Sequence, residues 1–284
     1  MGIVLAGNQY GKAETRLVRV TRDGDRHAVK DLNVSVTLAG DLAATHLTGD
    51  NSGVLPTDSQ KNTVYAFAGE DGVGEVEEFG LRLARHFVTS QPAITRARLS
   101  IEEYGWVRLG PHSFQRAGGQ VRTATVTVDG GGEWVVSGLT GLVLLNSTDS
   151  EFVGFVRDRY TTLPEATDRI LATAVDARWR HAGVDTDWAA SFAGVREALV
   201  AAFVQTYSRS LQQTLYVMGR RVLEERPEVV EVRLSLPNRH HLPVDLVPFG
   251  LANANEVFVA TDRPYGLIEG TVTRDDAPPP GSAW

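Results

Sequence analysis

The stretch Leu32-Asn33-Val34-Ser35-Val36-Thr37-Leu38 alternates apolar and polar side chains without a break. In an extended chain successive side chains point to opposite faces, so this pattern predicts a β-strand with one buried face. The same alternation returns late in the chain, from Val230 to Leu236. One-sided burial is typical of antiparallel sheets, which indicates a sheet that packs one face on a core.

Turn and helix signals surround these strands. Asp23-Gly24 and Asp129-Gly130 each supply the positive-φ positions that a tight hairpin needs, and both lie between extended segments. Helical periodicity appears in the middle of each half, where apolar residues recur three or four positions apart. The three apolar stripes are Val76, Phe79, Leu83 and Phe87; Trp188, Phe192, Val195 and Leu199; and Leu211, Leu215, Met218 and Val222.

The order of these elements repeats along the chain. Residues 1–136 are predicted to run strand, strand, helix, helix, strand, strand, and residues 137–284 to run the same order again. This predicts an α+β chain of two tandem ββααββ units. Helices cover only one face of such a sheet, and its uncovered face and edges predict a homo-oligomer. The proline-rich tail, about residues 275–284, is predicted to be disordered.

Composition excludes several classes of protein. The 28 basic and 35 acidic side chains give a net charge of −7 without a basic stripe, so no nucleic-acid partner is expected. The chain has no cysteine, which excludes disulfides and thiolate metal sites. The apolar run from Ala198 to Val204 is too short to cross a membrane. With no signal-peptide pattern and no peroxisomal Ser-Lys-Leu ending, the expected location is cytoplasmic.

Motifs for metals and nucleotides are missing from the sequence. It contains neither His-Glu-x-x-His nor Gly-x-x-x-x-Gly-Lys-Ser/Thr, and Gly130-Gly131-Gly132 falls in a predicted hairpin. His240 and His241 are neighbours on a predicted strand, so they should point to opposite faces and not bind one ion together. No metal site is expected.

Thr57 allows two interpretations that are compatible with each other. Thr57 followed three residues later by Gln60 is typical of a capping box, in which each side chain bonds to the other's backbone N–H. A helix start also presents free N–H groups and favours negative charge, so an anionic ligand can bind there.

Four other polar residues have an ordinary structural interpretation when each is taken alone. Lys12 fits a solvated strand end, and Arg169 fits half of a surface ion pair with Asp168. Gln212 fits an exposed helix position, and Asn238 fits a turn. A functional interpretation depends on their occurring together.

The chain contains Tyr10-Gly11-Lys12, Pro56-Thr57-Asp58-Ser59-Gln60-Lys61-Asn62-Thr63 and Ser235-Leu236-Pro237-Asn238-Arg239-His240. Together with several further stretches, these resemble the signatures of urate oxidase (uricase), of the bacterial type. They occur in order from about residue 8 to residue 270, which is nearly the whole chain. Pro56 and Arg239 depart from the alanine and lysine expected at those positions. The matching stretches are Tyr10-Gly11-Lys12; Pro56-Thr57-Asp58-Ser59-Gln60-Lys61-Asn62-Thr63; Ser147-Thr148-Asp149-Ser150-Glu151-Phe152-Val153-Gly154-Phe155; Arg157-Asp158; Tyr160-Thr161-Thr162-Leu163; Asp168-Arg169-Ile170-Leu171; Leu211-Gln212-Gln213-Thr214-Leu215-Tyr216; Ser235-Leu236-Pro237-Asn238-Arg239-His240; and Asn255-Glu256-Val257-Phe258.

The resemblance implies that urate is held along its rim and on one face. Arg169 and Gln212 would bind the pyrimidine edge, with the backbone N–H of Leu211 beside them, and Phe152 would stack on the ring. The guanidinium offers a rigid fork of donors, and the neutral amide both donates and accepts. The other end of the ring would meet the N–H groups of two residues at a helix start, Thr57 and Asp58.

The resemblance also implies where O2 reacts. O2 or water would lie above the free face of urate, near Asn238 and the hydroxyl of Thr57. Lys12 would stand behind Thr57 and next to His240, where it accepts or relays a proton and stabilises reduced oxygen. No cofactor is expected, because an electron-rich urate anion can pass electrons to O2 itself. The products would be 5-hydroxyisourate and H2O2.

The implied architecture is the tunnelling fold (T-fold), in which antiparallel sheets of paired chains close a barrel and two barrels stack into a tetramer. Lys12 and Thr57 would then face Arg169 and Gln212 of a neighbouring chain.

Two other classes of protein remain as alternatives. A pterin-handling cyclohydrolase or aldolase of the same fold would anchor its ring with a glutamate, and the cyclohydrolases also use cysteine ligands for zinc. This chain has Gln212 at the anchor position and no cysteine. A barrel that only binds a ligand would not need Lys12, Thr57 and His240 together.

Overall fold

A computed structural model describes residues 2–284, which form one eight-stranded antiparallel sheet with helices on one face. The strands are β1 (Tyr10–Asp23), β2 (Arg26–Gly40), β3 (Ile94–Glu103), β4 (Trp106–Arg108), β5 (Phe114–Arg116), β6 (Val121–Asp129), β7 (Gly132–Asn146), β8 (Leu171–His181), β9 (Val229–Pro237), β10 (His240–Pro243), β11 (Phe258–Thr261) and β12 (Leu267–Thr273). The helices are α1 (Ala43–Leu47), α2 (Thr57–Glu70), α3 (Val76–Ser90), α4 (Trp188–Gln205) and α5 (Leu211–Glu225), with a 3₁₀ turn at Val247–Phe249.

The sheet has two open edges. Its strands lie in the order β1-β2-β3-β6-β7-β8-β9-β12, while β4 with β5 and β10 with β11 form separate two-stranded ribbons. Because β1 and β12 each pair on one side only, a row of their backbone N–H and C=O groups faces outward. The first and last strands of the sheet are therefore available for pairing with another chain.

The predicted strand pattern and both predicted hairpins are confirmed. Every apolar residue of the alternating stretch in β2, from Leu32 to Leu38, is at most 2% exposed. Asp23 pairs with Arg26 across a two-residue turn in which Gly24 has φ of +52°. The turn between β6 and β7 is Gly130-Gly131, so this glycine run lies in a hairpin, as the sequence predicts.

The three predicted apolar stripes lie on α3, α4 and α5 and face the sheet. The residues of the α3 stripe are fully buried in the core of the first half. The residues of the α4 and α5 stripes lie in or against the core of the second half, with the exception of Trp188. Trp188 begins α4 but packs into the core of the first half. Among residues 2–284 no helix is both long and apolar enough to cross a membrane.

The structure contains more helices and strands than the sequence pattern predicts. Helix α1 and the ribbons β4–β5 and β10–β11 are additional, since each is only three to five residues long and too short to show a period. The position between residues 136 and 137 falls inside β7, which runs without interruption from Gly132 to Asn146. The turn that precedes β7 is the nearest break in the chain.

The C-terminal tail packs on the face of the sheet opposite the helices, so the prediction of a disordered tail is wrong. Arg98 donates to the carbonyl oxygen of Ser282 at 3.2 Å, and Ala283 is 1% exposed. The guanidinium of Arg233 lies 3.6 Å from the centre of the Trp284 ring. Arginines on the face of the sheet opposite the helices thus donate hydrogen bonds to the tail and form cation–π contacts with it, although the tail has no regular structure of its own.

A buried polar cluster between the sheet and α3 joins the two halves of the chain. The Ser137 hydroxyl donates to Glu77 at 2.7 Å and lies 2.9 Å from Nε2 of His181. Arg122 bonds to the other oxygen of Glu77 at 2.7 Å, which satisfies that buried carboxylate. The His181 ring packs edge-on against Trp188, and its Nδ1 has no hydrogen-bond partner among the described residues.

Burial of His181 should make the stability of the fold sensitive to acid. Burial lowers the pKa of His181 from 6.5 to about 4, because a second ring proton would have no acceptor. Its contribution to stability is therefore complete above pH 6.5 and is lost as the pH falls towards 4. From pH 7 to 5 we expect the chain to lose about 2 kcal/mol of unfolding free energy more than His181→Gln does.

Denaturant unfolding of both proteins at the two pH values measures this difference. Subtracting the change in unfolding free energy that is measured for the variant removes the contributions of the other groups, including Glu77, whose pKa burial raises. Equal pH dependence of the two proteins would contradict the assignment to His181.

Candidate functional site

A cavity of about 600 Å³ opens where the loop before β8 meets the start of α5 and the end of β9. It combines apolar walls with a few polar groups, which is typical of a site for a small molecule. Of the residues that the sequence singles out, it brings together Phe152, Arg169, Leu211, Gln212, Asn238 and His240.

Arg169 is half-buried in this cavity and forms no ion pair with any residue that the structure describes. Its Nε donates to the Ser150 hydroxyl at 3.3 Å, and burial alone lowers the pKa of its guanidinium. The predicted alternative, an ion pair with Asp168, is wrong, because the Asp168 carboxylate accepts from Thr148 and Asn255. A half-buried cation that lacks an anion makes a strong anion-binding group.

An aromatic wall stands beside this guanidinium. Phe152 and Phe155 stack with their ring centres 4.9 Å apart and their planes at 12°. The guanidinium carbon of Arg169 lies 5.2 Å from the centre of the Phe152 ring. A flat ligand that stacks on Phe152 would therefore lie within reach of the guanidinium donors.

The start of α5 adds backbone donors to the cavity. Ser210 caps this helix by accepting the N–H of Gln213 with its hydroxyl, so the N–H groups of Leu211 and Gln212 precede the first intrahelical bonds. Leu211 is buried, whereas the side chain of Gln212 is exposed at the cavity rim. The positive end of the helix dipole favours a negatively charged ligand at this point.

Asn238 and His240 complete the rim at the end of β9. Asn238 donates its N–H to Gly266 at 2.8 Å, and His240 starts β10, where it pairs with Thr261. His241 is also among the residues that line this cavity.

The two histidines do not belong to a metal-binding cluster. Within residues 2–284 no three side chains of the types His, Asp and Glu converge as metal ligands do.

Lys12, Thr57 and Asp58 form a separate group at the other edge of the sheet. Lys12 lies on β1 next to an irregularity in strand pairing between Lys12 and Thr15, and α2 packs against this strand. A hydrogen bond from Lys61 lowers the pKa of the Asp58 carboxyl most, and the charge of Lys12 lowers it further. The Lys12 ammonium is thus close enough to act on the start of α2.

Thr57 does not form the capping box that its sequence suggests. Pro56 is the N-cap of α2, with φ of −53° and ψ of 141°, and Thr57 is the first helical residue. Gln60 bonds to the carbonyl of Leu55 at 3.3 Å instead of reaching back to Thr57. Because the extended proline already occupies the cap position, the Thr57 hydroxyl has no capping role and is available for other contacts.

The two groups lie at opposite ends of the strand order. Lys12 is on the edge strand β1, whereas Asn238 follows β9, the strand next to the opposite edge β12. One chain therefore does not bring Lys12 and Arg169 into a single site.

Several cavity residues are not identified by sequence reasoning. Their side chains show no chemical pattern, and Leu163, Ile170 and Phe258 are visible only as parts of matching stretches. The same holds for Ser150, which accepts from Arg169 behind the cavity lining. The additional lining residues are Leu163, Pro164, Glu165, Ala166, Thr167, Ile170, Leu242, Pro243, Phe258 and Ile268.

Comparison with known proteins identifies the family. The model of the family described as Uricase matches residues 8–127 and 135–269. The uricase of Arthrobacter globiformis is 52% identical over 99% of this chain and 94% of its own length, and that of Dictyostelium discoideum is 38% identical over 95% and 97%. The crystal structure of the Arthrobacter globiformis uricase superposes with a TM-score of 0.96 and covers 98% of each chain. The chain belongs to the uricase family of oxidoreductases, which act on urate.

Proposed function

We propose that this uricase converts urate, O2 and water into 5-hydroxyisourate and H2O2 without a metal or an organic cofactor. Two electrons and two protons pass from urate to O2, which becomes H2O2. Water then adds its oxygen to the oxidised ring, so that the atoms of urate, O2 and water are all found in the two products. The ring supplies the electrons, and the protein supplies binding, orientation and proton transfer.

The observation that carries this proposal is the half-buried Arg169 guanidinium, which faces the cavity and forms no ion pair with the described residues. The two carboxylates of the cavity lining, Glu165 and Asp168, accept hydrogen bonds from Gly154 and Thr148 instead. Urate is an anion at neutral pH, and its pyrimidine edge presents two oxygens and ring nitrogens in one plane. The planar guanidinium matches such an edge with parallel hydrogen bonds. Arg169 and Gln212 are accordingly assigned to this edge, with the N–H of Leu211 beside them.

The remaining contacts are assigned from the family resemblance and from the position of each group in the fold. Phe152 is assigned to one face of the ring, since it belongs to the aromatic wall of the cavity. The N–H groups of Thr57 and Asp58 at the start of α2 are assigned to the opposite end of the ring, where the helix dipole favours negative charge.

Lys12, Thr57, Asn238 and His240 are assigned to the chemistry of O2. The amide of Asn238 and the hydroxyl of Thr57 would hold O2 or water above the free face of the ring. Lys12 would take up and return the protons through Thr57, with His240 beside it, and its charge would stabilise reduced oxygen. The hydroxyl of Thr57 can serve in this way because it caps no helix.

We further propose that each active site is shared between chains of a T-fold homotetramer built from two tandem ββααββ units. This is supported by the open edges β1 and β12 and by the separation of Lys12 from Arg169 along the sheet. Pairing between chains at these edges would bring the β1 group of one chain next to the cavity of another. It would also protect both edges from unspecific pairing.

An oxygen-controlled assay tests the proposed reaction. Protein dialysed against a strong chelator is mixed with urate, and the ultraviolet absorbance of urate and the formation of H2O2 are followed with and without O2. We expect loss of urate only with O2 and one H2O2 for each urate consumed. Activity that disappears on chelation and returns with added iron or copper would contradict cofactor independence.

A further inference from the structure

Two segments that carry cavity residues are tied together by backbone hydrogen bonds. Ser150 and Ser208 form an isolated parallel bridge, in which Ser208 donates its N–H to the Asp149 carbonyl at 2.9 Å and accepts the N–H of Glu151 at 2.8 Å. The N–H of Arg169 donates to the carbonyl of Ser150 at 2.9 Å. Ser150 therefore links the loop of Arg169 to the segment that leads into α5.

Buried hydroxyl groups extend this link into both elements. The Ser150 hydroxyl accepts from Nε of Arg169, and the Thr214 hydroxyl in the first turn of α5 donates to the Ser208 hydroxyl at 2.8 Å. Ser208 in turn donates to the carbonyl of Ser210, the N-cap of α5. Ser150, Ser208 and Thr214 are each at most 1% exposed, so these bonds are shielded from water.

The location of these hydroxyls matters for the two groups that are assigned to one edge of urate. Arg169 lies on a loop, while Gln212 lies on α5, and no strand or helix contains both. Their separation must match the edge of a flat ligand to within about 0.5 Å, because a site that is looser by 1 Å loses much of its affinity.

We propose that the buried hydroxyls of Ser150, Ser208 and Thr214 are positioning groups that hold Arg169 and Gln212 at the spacing the pyrimidine edge of urate requires. The proposal rests on the function proposed above for Arg169 and Gln212. Thr214 acts through Ser208 on the start of α5, and Ser150 acts on the guanidinium directly. None of the three needs to touch urate.

Thr214→Val tests this role, because valine keeps the shape of threonine and replaces only its hydroxyl with a methyl group. We expect the KM for urate to rise about tenfold, since the buried Ser208 hydroxyl loses its donor and the start of α5 shifts, while kcat changes less than about twofold. Thr214→Ser keeps the hydroxyl and should return KM to within about threefold of the parent. Equilibrium binding of xanthine, which has the same pyrimidinedione edge but no 8-oxo group, should weaken in parallel with KM.

Thr127→Val is the matched control. Thr127 is also a buried threonine, at 1% exposure, but its hydroxyl accepts from Arg98 on β3, remote from the cavity. Thr127→Val should lower the melting temperature by as much as Thr214→Val and should leave the KM for urate unchanged. The proposal is overturned if Thr214→Val leaves KM and xanthine binding unchanged, or if Thr214→Ser loses as much affinity as Thr214→Val.

A further variant separates this proposal from the one on which it rests. If Arg169→Ala weakens xanthine binding and Thr214→Val does not, the positioning role alone is wrong. If neither variant affects binding, the assignment of the cavity to urate is wrong as well.

Discussion

Lys12→Ala is expected to lower kcat by at least about a hundredfold while the affinity for xanthine stays within about threefold of the parent. A positioned general acid or base contributes about 10²–10⁴ in rate, and Lys12 is assigned to proton transfer instead of substrate binding. Stopped-flow measurement of urate loss at saturating O2 gives kcat, and a binding titration gives the affinity. Added methylamine should restore part of the rate, because it can replace the missing ammonium group.

Lys61→Ala is the control for this prediction. Lys61 lies at the same helix start, where it forms an ion pair with Asp58 at 2.6 Å, and its loss changes the net charge by the same amount. Its exposed ion pair contributes little to stability, and we expect nearly normal turnover. Full turnover of Lys12→Ala, or equal damage from both substitutions, would exclude the proposed proton relay.

Arg169→Ala is expected to weaken binding of urate by roughly a hundredfold, about 3 kcal/mol. Hydrogen bonds to a charged group contribute about 1.5–3 kcal/mol each, and the variant leaves the pyrimidine edge of the anion without its two donors. The effect should appear in KM and in the dissociation constant of xanthine measured by calorimetry.

Arg159→Ala serves as the comparison for Arg169→Ala. Arg159 is exposed and stacks on Tyr160, and it does not line the cavity. Both substitutions remove one positive charge, so a general electrostatic effect on an anionic substrate would affect them equally. We expect KM to change less than about twofold in Arg159→Ala. An unaltered KM in Arg169→Ala would remove this residue from the binding site.

Local physical chemistry explains which elements can be predicted. The alternation in β2 and the stripes on α3, α4 and α5 are long enough to show their periods, and each is observed where it is expected. The ribbons β4–β5 and β10–β11 contain only three or four residues per strand, too few for a period to be visible. The tail lacks any period, and its position depends on arginines that are distant in sequence.

Side-chain roles depend on contacts that the sequence does not display. The Thr57–Gln60 spacing is typical of a capping box, but Pro56 takes the cap position, so both side chains have other surroundings. Arg169 is next to Asp168 in the sequence, yet Asp168 bonds to Thr148, and the guanidinium forms no ion pair within the described part of the chain. Neighbours in sequence need not be neighbours in space, since adjacent side chains of an extended loop point apart.

By itself, the sequence determined that the chain is an α+β protein with antiparallel strands and amphipathic helices, because period and turn chemistry act over a few neighbouring residues. Only the tertiary structure decided that Phe152, Arg169, Leu211, Gln212, Asn238 and His240 share one cavity while Lys12, Thr57 and Asp58 lie at the opposite edge of the sheet. Strand order places these groups, and strand order is set by pairing between segments far apart in the chain. The hydrogen bonds by which buried hydroxyls join Arg169 to α5 also depend on contacts between distant segments, so only the tertiary structure shows them.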